Sequence, residues 1–344
     1  MTNGAKRTLK HEKLARIYDE EILPIWAQRF GRMMLRGLDV PPKAMVLDIA
    51  CGTGYPANEV LRKLDDASKL IAIDQSSAML DVARRKLAEA GGKRLFFRTE
   101  SAFPRLSFAN DVYDVTLCNL GLQETTEPAT ALRDMVRVTK PGGLVVATLP
   151  LAGTWGEFYD IYREVLVKHD KHESLTRIDE HLAKYPQAED LERWAQQAGL
   201  EDIRVDIEEF SLLFRSSREF FFAPVIEFGP LPTWKALAGK GQELQDVFWY
   251  IKQSIDAYFG DRAFSITVKA GCLRGRKRAD ANDYVPEERS MEEDWISVQT
   301  GEVELVSEGP LGPDDGDDGE GAGELEAFRD PADVVDDEEP PTRS

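Results

Sequence analysis

The stretch VLDIACGTGYPA, residues 46–57, constrains this chain more than any other. It joins an apolar strand to a tight glycine turn and a helix start. Gly52, Gly54 and Ala57 keep the spacing G-x-G-x-x-G/A, which lets backbone approach a ligand at a helix N-terminus. The strand carries an acid, Asp48, four residues before the first glycine.

The segments around this turn repeat its rhythm. AMVLDIA, KLIAID, RLFFRTE, VYDVTLCNL and LVVATLP read as five strands. Helices are predicted between them, from about Pro56 to Leu64, from Ser76 or Ser77 to the glycines at 91–92, and from Pro128 to Val138, ending at KPGG. Strands alternating with helices predict a doubly wound α/β sheet, mostly parallel, whose ligand edge lies at the strands' C-terminal ends. Residues 11–38 read as helix, kinked or split at Pro24. Beyond residue 150, WGEFYDIYREVLVKH and QAEDLERWAQQAGL read as helices, EDIRVDIEEFSLLF as a strand and AFSITVKAGCLRG as an antiparallel last strand. The intervening aromatic-rich stretch is too long and apolar for a connection and reads as a cap. Its rings suit either an apolar substrate pocket or core packing.

The net charge of −19 is not spread evenly. Residues 279–344 hold 23 Asp and Glu against three Arg, so the first 278 residues are close to neutral. That acidic stretch is rich in Gly and Pro, and its composition predicts disorder. Its PDDGDDGEGAG run does not keep the register of a calcium loop. The other units are an N-terminal helical lid over 1–40 and a domain over 41–278, with cap segments near 153–190 and 211–262. No apolar run is long enough to span a bilayer, no signal-peptide pattern opens the chain, and a cytoplasmic location is expected. Cys51, Cys118 and Cys272 are widely spaced and read as small buried residues rather than disulfide or zinc partners. His169, His172 and His181 form no recognisable metal set, in surroundings that read as a solvated loop, and no metal is expected. RGRKR at 274–278 reads as a solvated strand end, too short for a nucleic-acid footprint. Oligomeric state is open.

Asp48 discriminates among ligands. Beside a glycine turn, an acid opposes an anionic pyrophosphate and favours an ammonium or sulfonium. Acids or polar groups also end successive strands: Asp48, Asp74, Glu100 with Ser101, and Asn119. A ligand made of an amino acid, a ribose and an adenine suits that series, and S-adenosylmethionine is such a ligand.

The segments VLDIACGTG, IAIDQSSAMLDVA, LSFANDVYDVTLCNLGLQE and LRDMVRVTKPGGLVVA, in this order, resemble the class I S-adenosylmethionine-dependent methyltransferases. The resemblance covers residues 45–150. Its nearest branch acts on small molecules and includes ubiquinone/menaquinone C-methyltransferases and enzymes that methylate a malonyl thioester. It implies a Rossmann-like fold and methyl transfer to a small-molecule acceptor. It further implies that Asp48 and the backbone of Ala50, Gly52 and Gly54 surround the methionine part. Asp74 would accept from the ribose hydroxyls, and Gln75 and Met79 would flank the adenine. Glu100 and Ser101 stand where the family has an Asp-Ala pair near the adenine amino group, with two residues inserted before LSF. Asn119 would lie near the sulfonium. Many relatives carry two histidines where this chain has Gln123 and Glu124, so a histidine base is absent; Glu124 is either a base or cation ligand, or an exposed loop carboxylate. Tyr18, in ARIYDEEI, is either part of a lid or one aromatic on an amphipathic face. Two other functions stay open: a protein that binds the cofactor without transferring methyl, and a nicotinamide-dependent oxidoreductase, which Asp48 and KPGG oppose.

Overall fold

In the computed structural model, which describes residues 3–260 and 262–280, the apolar runs become one seven-stranded sheet. The strands are β1 (Met45–Ile49), β2 (Lys69–Asp74), β3 (Leu95–Thr99), β4 (Tyr113–Asn119), β5 (Thr139–Pro150), β6 (Leu200–Phe214) and β7 (Phe264–Lys277). Their spatial order is β3-β2-β1-β4-β5-β7-β6. The first five run parallel, and β7 lies antiparallel between β5 and β6. Central strands covered on both faces need apolar residues at nearly every position, and Val46, Leu47 and Ile49 are fully buried. The strand order reverses between β1 and β4, which opens a crevice at their C-terminal ends.

Helices cover both faces. One layer contains α2 (Ala27–Leu35) and α3 (Ala57–Leu61); the other contains α5 (Pro128–Val138) and α8 (Ala188–Gln197). Helix α4 (Ser77–Gly91) starts where the Ser76 hydroxyl accepts from Met79 N and stops at Gly92, whose φ is +50°. Helix α3 is shorter than its pattern predicts. Helix α5 ends at Val138 as expected, and KPGG already belongs to β5, which starts at Thr139, with Gly142 at φ +74°. A Cβ at Gly143 would stand 2.8 Å from Lys140 O, so the bend requires glycine.

At the N-terminus α1 (Asn3–Ile17) runs into a π-helical turn, Tyr18–Ile22, before the chain turns at 23–26 and re-enters helix as α2. Pro24 lies at that break, as its missing N–H requires. Lys86 Nζ on α4 lies 2.5 Å from Asp19 Oδ1 and ties the π turn down.

The cap comprises α6 (Gly156–Lys168), α7 (His172–Leu182), α9 (Ser217–Phe222), α10 (Pro224–Glu227), α11 (Leu231–Ala238) and α12 (Gly241–Phe259). The histidine-containing segment is therefore partly helix, not a solvated loop; the His169 ring stacks on Tyr250 at 3.7 Å between centroids. Trp234 organises the cap's interior. Its ring stacks on Phe158 at 3.9 Å, its Nε1 donates to Tyr159 Oη, and its carbonyl accepts from Tyr162 Oη, both at 2.8 Å. Phe158, Phe220 and Trp234 are fully buried, and burying one such side chain is worth about 1.5–3 kcal/mol. Core packing therefore accounts for these rings.

RGRKR is not a solvated strand end. Its residues pair with β5 and β6, Arg274 donates to Met33 O at 2.8 Å, and Lys277, 1% exposed, donates to Asp111 Oδ1 at 2.7 Å. The three cysteines are free and buried. Among the described residues no group of three or more His, Cys, Asp or Glu is placed to hold a metal, and no helix is long and apolar enough to cross a membrane. The acidic stretch from 281 onward lies outside the described residues.

Candidate active site

The turn after β1 rises with three residues at positive φ: Ala50 (+55°), Gly52 (+53°) and Gly54 (+93°). The two glycines have different neighbours. A Cβ on Gly52 would face the Tyr18 ring at 3.6 Å, so Tyr18 lies over the loop. A Cβ on Gly54 would meet Leu87 at 3.0 Å and Ala83 at 3.2 Å, so Gly54 lets α4 pack close. Ala50 and Gly52 line a cavity of about 640 Å³ at the switch point, whereas Gly54 does not. That volume suits a drug-sized ligand.

Asp74, Gln75 and Met79 form one wall of this cavity. Each oxygen of Asp74 accepts a backbone N–H, from Gly52 at 2.9 Å and Ser76 at 2.8 Å. The carboxylate is thereby fixed, with lone pairs left over. Burial raises its pKa, and the two N–H donors oppose the rise. Next comes the segment after β3, where Ser101, Ala102, Phe103 and Pro104 reach the cavity. Glu100 does not. Its Oε1 accepts from Ser107 N and its Oε2 lies 2.9 Å from Arg98 Nε. The longer loop at 100–107 folds back on Glu100 and presents Ser101 and its successors in its place.

Across the crevice, Asn119 lines the cavity but is already anchored: Nδ2 donates to Ala27 O at 3.2 Å and Oδ1 accepts from Thr148 Oγ1 at 2.7 Å. Leu120, at φ +67°, turns the chain into a 3₁₀ turn, Gly121–Glu124. A Cβ on Gly121 would stand 2.6 Å from Cys118 Sγ and 2.8 Å from Ala50 Cβ. The turn brings the exposed Gln123 and Glu124 to the cavity mouth, where Gln123 Nε2 donates to Glu124 Oε1 at 3.2 Å. Tyr18 and Trp26 close the side above them. Burial, then the charges of Asp74 and Glu124, push the Tyr18 phenol up, so its hydroxyl remains a donor.

Sequence reasoning missed Trp26, the Ala102–Pro104 segment and Thr125–Thr126. Trp26 sits at the break beside Pro24, a signal that the N-terminal aromatics serve more than a helix face.

Asp48 is the unusual group. It lies on β1 beneath the loop, 0% exposed, in register with Ala72 and Leu117. Both carboxyl oxygens are buried without a hydrogen-bond partner among the described residues. Burial, and secondarily the charge of Asp74, pushes its pKa up to about 8. A buried unpaired charge is costly unless a cation meets it. The lining residues carry two carboxylates, Asp74 and Glu124, and no Lys, Arg or His. This donor set fits a cationic amino-acid and sulfonium ligand, and it opposes a pyrophosphate.

A doubly wound sheet of this order, with its one reversed strand and an acid-lined glycine turn, defines a class I S-adenosylmethionine-dependent methyltransferase. Within that class, a model of the ubiE/COQ5 methyltransferase family matches residues 11–212, and the chain belongs to this family. It is 27% identical over 185 residues to a demethylmenaquinone methyltransferase of Renibacterium salmoninarum, covering 51% of this chain and 74% of that protein. A demethylmenaquinone methyltransferase of Mycolicibacterium paratuberculosis is 30% identical over 197 residues, 55% of this chain and 79% of that one. The ubiquinone/menaquinone biosynthesis C-methyltransferase UbiE of Coxiella burnetii is 32% identical over 167 residues, 46% and 66% of the two chains. The chain therefore transfers a methyl group from S-adenosylmethionine to a small-molecule acceptor.

Proposed function

We propose that the acceptor is a small hydroquinone-like ring, held at the mouth between Trp26, Tyr18 and the turn at Gly121–Glu124. The names of the relatives support this class. So do the aromatic Tyr18 and Trp26 at the mouth, with Glu124 beside them and no Lys, Arg or His among the lining residues to hold an anion. S-adenosylmethionine supplies an activated methyl on a sulfonium. The chain's own residues orient and enclose. Asp48 balances the positive charge of the methionine part, while the backbone of Ala50 and Gly52 gives close approach. Asp74 uses its remaining lone pairs for the ribose hydroxyls, and Gln75, Met79 and Ser101 flank the adenine. Asn119, held by Ala27 and Thr148, lines the crevice beneath the transferring methyl. Tyr18 closes over Gly52 and excludes water.

The observation that carries the reading is the buried, unpartnered Asp48 carboxyl under the glycine turn. The test has two stages. Calorimetry should show binding of S-adenosylmethionine and S-adenosylhomocysteine and none of nicotinamide dinucleotides. Methyl-labelled cofactor with reduced benzo- and naphthohydroquinones should then give a ring product one methyl heavier. Tight S-adenosylhomocysteine binding with no transfer to any ring acceptor would overturn the hydroquinone class and leave the acceptor among other small molecules.

A further inference from the structure

We propose that the acceptor side of the cavity selects by charge, taking neutral or cationic acceptors and rejecting anionic ones, with Glu124 as the specificity-determining residue. This deepens the hydroquinone reading and rests on it. The lining holds Asp74 and Glu124 and no basic side chain. Three basic groups on neighbouring elements are paired with acids of their own: Lys86 with Asp19, Arg84 with Asp81 and Arg98 with Glu100. Beneath the loop, Asp48 adds a fully buried carboxyl that no group among the described residues pairs. Tyr18 offers a hydroxyl but no charge. An anionic substituent entering at the mouth thus meets the like charge of Glu124. A substituent bearing an ammonium meets Glu124, whose Oε1 accepts from the Gln123 amide at 3.2 Å.

Glu124 is exposed, so water and salt screen it. A carboxylate a few ångströms from a charged substituent at an effective dielectric between those of water and a protein surface gives a preference of about tenfold. The preference shrinks at high salt as the Debye length shortens to about 3 Å at 1 M. Glu124 is exposed on the turn Gly121–Glu124, so its replacement should leave the fold intact.

The experiment is calorimetry with saturating S-adenosylhomocysteine and two matched ligand series. One is hydroquinone bearing a methyl, aminomethyl or carboxymethyl group; the other is benzyl alcohol, benzylamine and benzoate, which lack the ring hydroxyls. The expected result is that amines bind about tenfold more tightly than carboxylates, that Glu124→Gln cuts the ratio several-fold and that Glu124→Lys brings it to one or below. Carboxylates binding as tightly as amines would overturn the charge proposal and leave the acceptor class standing. A charge order in the benzyl series with no hydroquinone binding would support charge selection and overturn the ring acceptor. A ratio unmoved by Glu124→Gln would remove Glu124 from the role. Binding by neither series would overturn both proposals.

Discussion

Replacing Asp48 by Asn tests the site most sharply, because it changes the charge at constant shape. Unfolded, the Asp48 carboxyl ionises near 3.8; folded, near 8. Between those values the unfolded chain is the more ionised, so this residue's contribution to stability falls as pH rises. At pH 7 the deficit is about 4 kcal/mol, and at pH 5 it is about 2 kcal/mol. Asn removes that dependence. It leaves a buried amide, whose cost of about 1–3 kcal/mol when unpaired does not change with pH. The melting temperature of Asp48→Asn should therefore rise relative to the wild type by roughly 5 °C between pH 5 and pH 7, since a domain of this size shifts about 2 °C per kcal/mol. The ligand reverses the preference. The wild type can meet the ligand's ammonium with a carboxylate, and the variant cannot. A charge-assisted hydrogen bond of about 1.5–3 kcal/mol predicts a loss of about 10–100-fold in affinity for S-adenosylhomocysteine. Melting curves at both pH values and a calorimetric titration measure these effects. A melting-temperature difference independent of pH, together with unchanged affinity, would refute the argument that Asp48 is a buried carboxyl held neutral until a cation meets it.

Asp74→Ala should weaken cofactor binding by about 10–100-fold; because Asp74 also holds Gly52 N and Ser76 N, hydrogen exchange at the glycine turn should quicken as well. Gly121→Ala forces a Cβ into Cys118 and Ala50 and should cost about 1–3 kcal/mol, read as a lower urea midpoint. Tyr159→Phe removes the acceptor of Trp234 Nε1 and should destabilise the cap by about 1–3 kcal/mol, with a change in tryptophan fluorescence as the local readout. Truncation after Asp280 keeps every described strand and should leave the S-adenosylhomocysteine affinity unchanged; a titration on the shortened chain checks this.

The sequence alone determined the alternation of β1–β5 with their helices, the glycine turn and the acids at the strand ends. These are local features: a strand's apolar run, a cap such as Ser76 and a turn needing positive φ are each written within a few residues. Asp48 and Asp74 were legible for the same reason, since strand ends in a parallel sheet share one edge. Tertiary structure decided the rest. Glu100 follows the last residue of β3, yet the inserted loop folds back on it and gives the cavity Ser101 and Phe103 instead. The aromatics of 210–260 matched a pocket and a core equally well until Trp234 was seen enclosed by Phe158, Tyr159 and Phe220. RGRKR carries charge on a strand that pairs on both sides, and Asp111, 166 residues away, makes the burial of Lys277 tolerable. Trp26 reaches the cavity because the chain breaks at Pro24 and folds over a sheet edge remote in sequence. Periodicity reports which residues are apolar and how they repeat, but which partner covers a side chain depends on contacts between distant segments.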